Sequence, residues 1–333
     1  MGRIERSIGV ALLAGAVLTS VSGCGGHASA SSSDAKAASK ATASAHPAAK
    51  PSPTHPSGPA MPVESIAPED GATVGVAMPV SVQFTHGIAN SARAEIERHL
   101  KVTTSTPLTG AWHWFADDDG TYTRVDWRPE KMWPSGTKVT LNAELDGVGD
   151  GNGRYGTRNY RHSFTIGADF EAKVDVPGHS MKVTHNGAAV KTLAIDAGSS
   201  DFPSWDGTMA VMDKEPEVRM TSCSVGIACD KGNPNFYDKT LPWDVQLTTS
   251  GTYVHYSPGD PDPGNGEGSH GCVHLSWTDA QWFYNQVKQG DPITITGSPR
   301  GAVHGDNGYG AFTLSWADWL KGSATGAQQT SAG

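Results

Sequence analysis

Gly251-Thr252-Tyr253-Val254-His255-Tyr256-Ser257, a loop rich in Gly, Pro and Asp, then Ser269-His270-Gly271-Cys272-Val273-His274: this stretch decides how the chain is read. A cysteine attacks as the thiolate, and a histidine within hydrogen-bond reach is the usual means of making one. His255 on a strand and Cys272 after the loop supply that pair. Gly271 lets the backbone turn tightly, so the amides of Gly271 and Cys272 are expected to face an oxyanion. Directly downstream, Ser276 with Asp279 three residues on reads as a helix cap. Trp277, Ala280, Tyr284 and Val287 follow a 3.6-residue period until Gly290. The dipole of that helix is expected to favour the thiolate.

Working outward, Asn186-Gly187 between alternating runs is a two-residue hairpin signal, and further strands are expected at residues 208–212, 245–249, 253–256 and 293–296. Residues 168–297 therefore read as a mostly β domain with one helix after the chemical motif. Upstream, residues 61–167 carry short alternating runs at 80–84, 112–115, 122–127, 138–145 and 162–166, the pattern of a β-sandwich. One helix is expected at 90–100, capped by Asn90 or Ser91, with Ile96 and Leu100 on one face. The Trp and Tyr residues of this segment read as core and rim packing. The run from Asp146 to Gly153 lacks the ligand spacing of a calcium loop and reads as a Gly-rich turn. Residues 298–333 hold an aromatic element around Trp316 and Trp319 that is expected to pack back on one domain or on the interface.

The N-terminus bounds the compartment. Residues 1–23 combine Arg3 and Arg6 with an apolar run too short to span a bilayer, a secretory signal. It ends in Val21-Ser22-Gly23-Cys24, which resembles a bacterial lipobox with Cys24 as the lipidated residue, and several acyl chains anchor a protein stably. Residues 24–60, almost entirely Ala, Ser, Gly, Pro, Lys and His, read as a disordered tether with a reach between roughly 30 Å as a coil and about 120 Å extended. The expected location is the outer face of the cell membrane, reaching into the wall. The formal net charge is −9; removing residues 1–23 (Arg3, Arg6 and Glu5, net +1) leaves −10, which argues against nucleic acid as a partner. Cys223 and Cys229, exported and six positions apart, are expected to form a disulfide that leaves Cys272 as the free thiol; unpaired, they would threaten to scramble with it.

His, a loop of just over a dozen residues, and Ser-His-Gly-Cys together resemble the signature of the L,D-transpeptidase family of peptidoglycan enzymes. The resemblance implies a YkuD-like β-fold over about residues 169–297, preceded by an Ig-like domain, in the lipoprotein arrangement of actinobacterial members. It also implies Tyr237 in a lid with its hydroxyl near the oxyanion, Ser250 and Gly251 on a substrate-contacting strand, and Ser269 and His274 at the same site. The implied reaction opens a donor stem at the third residue, forms a Cys272 thioester and yields a 3→3 cross-link, with carbapenem β-lactams as inhibitors and no cofactor. His274 stands where relatives commonly have Asn or Arg, and Tyr256 where small residues are usual.

Other readings use the same residues. A zinc site from His255, His270, Cys272 and His274 has suitable ligand types, but the Ser-His-Gly-Cys order suits a nucleophile better. His270 is either catalytic or a structural residue that holds the loop by hydrogen bonds. A papain-like protease places its nucleophile well upstream of the base, the reverse of the order here. A wall-binding Ig lipoprotein with a degenerate second domain predicts loss of Cys272 or His255, and both are present. Hydrolysis in place of transfer would make the chain an L,D-carboxypeptidase.

Overall fold

The computed structural model describes residues 56–332 except 118, 265 and 267. The secretory signal, Cys24 and the tether up to residue 55 lie outside the described residues. Among those described, no helix is long and apolar enough to cross a membrane.

Two five-stranded sheets face one another over the first half of the described chain. One has the order Val63–Ala67, Val80–Phe84, Arg124–Pro129, Thr109–Phe115 and Gln328–Gln329. The other runs Ser331–Ala332, Leu100–Thr104, Lys138–Ala143, Tyr160–Ile166 and Thr73–Val74. The alternation read from the sequence is visible in Lys138–Ala143, where Val139, Leu141 and Ala143 are buried and the residues between them point outward. Trp112, Trp127 and Trp133 are core residues, with the Trp127 and Trp133 rings 5.1 Å apart. Gly110 is required beside them, because a Cβ there would stand 2.0 Å from Trp127 Cζ2.

Three local expectations are corrected. The first helix spans Asn90–His99, but its N-cap is Ala89 with no side-chain cap, because Asn90 Oδ1 is taken by the Arg93 guanidinium. The packed chain begins before residue 61: the Tyr155 amide donates to Pro59 O, and Met61 N donates to Tyr155 O. The second helix, Trp277–Gln286, carries the expected Ser276 cap, yet its buried face is Ala280 and Phe283, while Trp277 is 49% exposed.

The second half also holds two sheets. The first has the order Ala188–Ala194, Ser180–His185, Phe170–Asp175, Pro292–Thr296 and Gly207–Ala210, with Asn186-Gly187 making the expected hairpin turn at φ 50° and 76°. The second runs Asp213–Thr221, Asp238–Gln246, Tyr253–Tyr256 and Val273–Leu275. Met181, Val183 and Leu193 from one sheet and Val245, Val254, Val273 and Leu275 from the other fill the shared core, together with Phe283 of the helix. Of the nine-residue hairpin arms Asp213–Thr221 and Asp238–Gln246 the sequence announces only the end of the second: the strand expected at 245–249 begins at Asp238 and stops at Gln246. The first is largely exposed and both contain proline, so neither shows a clean apolar alternation.

The C-terminal segment joins the halves. The backbone bridges Asp206–Ala302 and Ala210–Tyr309 hold it against the edge strand Gly207–Ala210. Helix Trp316–Lys321 then reaches the sandwich, where Trp319 is fully buried, donates Nε1–H to Ala111 O at 2.9 Å and stacks on His113 at 4.6 Å. Glu97, also buried, accepts from Trp114 Nε1, Ser323 Oγ, Thr325 Oγ1 and the amides of Ala324 and Thr325. Trp319→Ala should cost about 3–5 kcal/mol, as for other buried Trp truncations. Chemical denaturation followed by sandwich tryptophan fluorescence reads this, and an unchanged midpoint would show that the arm is not part of the cooperative core.

Candidate active site

Strands Tyr253–Tyr256 and Val273–Leu275 run parallel, with His255 opposite His274 and Val254 opposite Val273. A parallel pair needs a crossover of a dozen residues or more. The stretch 257–272 is that crossover, so the spacing between His255 and the Ser-His-Gly-Cys turn is the length of chain needed to bring both residues to one sheet edge.

The end of the crossover is tightly tied. Ser269 Oγ accepts the Gly271 amide at 3.0 Å and donates to Cys272 O at 2.6 Å, closing a small ring around the turn. Ser204 Oγ donates to Gly271 O at 3.0 Å and accepts from Gly198 N at 2.9 Å. Gly271 sits at φ 117°, a conformation that side chains rarely take. The buried Asp196 lies beneath this turn: its backbone pairs with His274, and its carboxylate accepts from Gly264 N, Gly266 N and His179 Nδ1. Neither Ser204 nor Asp196 belongs to any local motif. The only sequence signal for them is the polar type of residues that lie far from the turn along the chain.

His255 is 2% exposed, with Nδ1 2.8 Å from Tyr256 O. A carbonyl only accepts, so Nδ1 carries the proton and Nε2 is the nitrogen left to take one. Burial first, and then the neighbouring His274, push its pKa down to about 3. His274 is held in turn by Asp260, at 2.9 Å from Nδ1, and packs edge-on to the His255 ring at 4.9 Å. Burial pushes the Cys272 thiol up to about 12 against a lowering by the Tyr253 amide. At rest the pair is therefore a neutral thiol and a neutral imidazole.

Two sequence expectations fail here. The capped helix does not act on the thiol: the strand Val273–Leu275 separates them, about 10 Å of extended chain, and a helix dipole fades within its first turn. The Gly271 amide is not free for an oxyanion, since Ser269 Oγ already takes it.

The long hairpin forms the roof. Its connection carries the Cys223–Cys229 disulfide, and Cys272 is the one free cysteine among the described residues. Ser222 ties the base of this loop through bonds with Tyr237 N, Tyr237 O and Ala228 O. Cys272 opens on two clefts that share Tyr237 and His270. The first, about 110 Å³, contains His255, Ser269 and His274; the second, about 300 Å³, contains Ser250, Gly251 and Val225. Gly251, at φ 96°, allows Val225 of the disulfide loop to approach, since a Cβ there would lie 2.5 Å from Val225 Cγ1. Ser250 Oγ is held by Asn307 Nδ2 at 2.9 Å and Trp205 Nε1 at 3.3 Å. His270 makes no hydrogen bond among the described residues and instead packs between Phe202 and Tyr237, at 4.6 and 5.2 Å. Burial raises the Tyr237 phenol to about 12, so the lid hydroxyl keeps its proton. Among the described residues no three His, Cys, Asp or Glu side chains converge as metal ligands.

A resting neutral pair has a measurable consequence. Alkylation of Cys272 by iodoacetamide should rise about tenfold per pH unit from pH 7 to 10, because only the thiolate reacts. A rate already level above pH 5, followed by mass spectrometry of the Cys272 peptide, would instead indicate a preformed thiolate–imidazolium pair.

Comparison with known proteins matches residues 169–295 to the L,D-transpeptidase catalytic domain and residues 28–149 to a bacterial Ig domain. The chain is 33% identical over 260 residues to L,D-transpeptidase 2 of Mycobacterium tuberculosis, with 78% of this chain and 62% of that relative covered. It thus spans somewhat under two thirds of that relative's length. To L,D-transpeptidase 1 of the same species it is 31% identical over 236 residues, covering 71% of this chain and 85% of the relative. The solved structure of the LD transpeptidase LdtMt1 in complex with imipenem superposes with a TM-score of 0.60 at 30% identity, over 72% of this chain and 100% of that one. With a strand pair that brings a histidine and a cysteine under a lid, and with relatives that align over most of their length, the chain belongs to the L,D-transpeptidase family.

Proposed function

We propose that the protein is a cysteine acyltransferase that forms 3→3 cross-links between peptidoglycan stem peptides. The observation that carries this reading is the joint position of Cys272, reached from two clefts with His255 on one of them. A transferase needs one path for the acyl donor and another for the acceptor while both reach the same sulfur.

In the first half-reaction Cys272 Sγ attacks the carbonyl of the third residue of a donor tetrapeptide. Its proton passes to His255 Nε2, and the tetrahedral intermediate collapses as His255 returns that proton to the departing D-Ala amine. The product is a thioester. In the second, the side-chain amine of an acceptor's third residue attacks the thioester, His255 takes the amine's proton, and the Cys272 thiol is regenerated. Leaving amine and attacking amine must both meet His255, which lines the first cleft only, so the acceptor enters there and the donor's acyl side occupies the second. The neutral resting pair suits this, since proton transfer then accompanies attack and no charge is buried beforehand. Tyr237, common to both clefts, and the Cys272 amide are the donors this reading assigns to the developing oxyanion. Water in the first cleft would give hydrolysis instead.

The secretory signal, Cys24 and the tether support an exported, lipid-anchored enzyme on the outer membrane face that works within the wall and contributes to cell shape. A carbapenem should acylate the same thiol, as supported by the relative bound to imipenem. Full-length protein in detergent should gain one carbapenem mass, and Cys272→Ala none, by intact mass spectrometry. With a disaccharide tetrapeptide the wild type should release D-Ala and form dimers, and His255→Ala should slow both by about 10²–10⁴-fold. Folded protein with a reduced Cys272 but no adduct would overturn the reading in favour of a wall-binding module.

A further inference from the structure

Resting on that reading, the geometry points to Arg300 as the receptor for a carboxylate on the donor stem, on the acyl side of the scissile bond. Arg300 follows the matched catalytic domain, outside residues 169–295, and lines the second cleft together with Cys272. Its Nη1 stands 3.8 Å from where a Cβ on Gly271 would be, one residue from the nucleophile. The guanidinium carbon lies over the Trp205 ring, 3.8 Å from the centroid, and Nη1 donates to Pro203 O at 3.3 Å. These two contacts fix the plane of the fork.

No carboxylate among the described residues pairs with Arg300, whereas Arg124 and Arg219 bond to an acid and Arg128 to backbone carbonyls. Nε and Nη2 have no acceptor among the described residues. An oriented, unpaired guanidinium at the rim of an active cleft, in a chain of net charge −9, is suited to a planar anion. The platform is supported in turn: Trp205 bonds Ser250, Ser250 bonds Asn307, and His304 packs edge-on to Trp205 at 5.8 Å. The residues from 300 to 307 thus carry the cation and brace the Ser250 turn, which lies between strands Asp238–Gln246 and Tyr253–Tyr256 where the resemblance implied a strand.

The donor offers carboxylates on this side from two sources. One is the free α-carboxylate of the second stem residue, which is linked through its side chain. The other is a carboxylate beside the side-chain amine of the third residue, where Asp201 on the same cleft complements the ammonium. Both present the same group to Arg300, and selective amidation separates them.

The experiment is calorimetric binding of a donor tetrapeptide to the full-length Cys272→Ala protein, alone and with Arg300→Gln or Arg300→Lys, using the free peptide and peptides amidated at either carboxyl. Arg300→Gln should weaken binding about tenfold, and Arg300→Lys should restore part of it. Amidating the contacted carboxyl should weaken binding to the Arg300 protein equally while having no further effect on Arg300→Gln. In turnover by Arg300→Gln with Cys272 intact, the donor KM should rise more than kcat falls. Equal affinity with and without Arg300, or an equal loss for every amidated peptide, would overturn the assignment while leaving the transferase reading intact. Failure of any stem peptide to bind Cys272→Ala, with no D-Ala released by the wild type, would overturn both.

Discussion

The parallel pairing of Tyr253–Tyr256 with Val273–Leu275 is the constraint on which the site depends. Parallel strands cannot be joined by a tight turn, so a crossover has to be stored somewhere, and this chain stores it as irregular loop. A loop without its own core keeps a fixed shape only if its backbone groups find fixed partners. The buried Asp196 supplies several of these, together with Ser269 and Ser204. Catalytic geometry is thus a result of hydrogen-bond accounting around a turn as much as of the two residues that react.

Electrostatics follow from the same burial. A thiol pushed up to about 12 and an imidazole pushed down to about 3 would be a poor ion pair, yet they are a good proton couple once a carbonyl arrives. His274 and Asp260 continue the polar path behind the base, and their fixed contact orients the face on which His255 packs. The disulfide loop completes the enclosure from above. It narrows the approach to two clefts without requiring a packed core of its own, which a short polar connection could not provide.

What was legible in the sequence was local. His255, Ser269, Gly271 and Cys272 lie within one short stretch whose residue types only make sense together, and Asn186-Gly187 or Ser276 with Asp279 declare a turn and a cap by chemistry alone. The sandwich strands were readable because Val139, Leu141 and Ala143 alternate with outward residues. What escaped depends on distance along the chain. Asp196 meets its loop partners some seventy positions away, and Ser204 its glycine carbonyl 67 away. The lid arms largely escaped because exposed strands held by backbone bonds leave little apolar pattern to read. The helix dipole does not act on the thiol because nearness in sequence is not nearness in space: three extended residues carry the thiol clear of the helix end.

The two short strands Gln328–Gln329 and Ser331–Ala332 close opposite sheets of the sandwich, one pairing with Thr109–Phe115 and the other with Leu100–Thr104. The first half of the described chain is therefore finished by residues more than two hundred positions downstream. Without the arm, two sheet edges and the Trp319 site are open, so the sandwich needs it in place for its full stability. Contacts spanning more than two hundred positions make this a slow closing step. A chain that misfolds in its second half therefore leaves its first half unsealed, with two bare strand edges open to proteolysis.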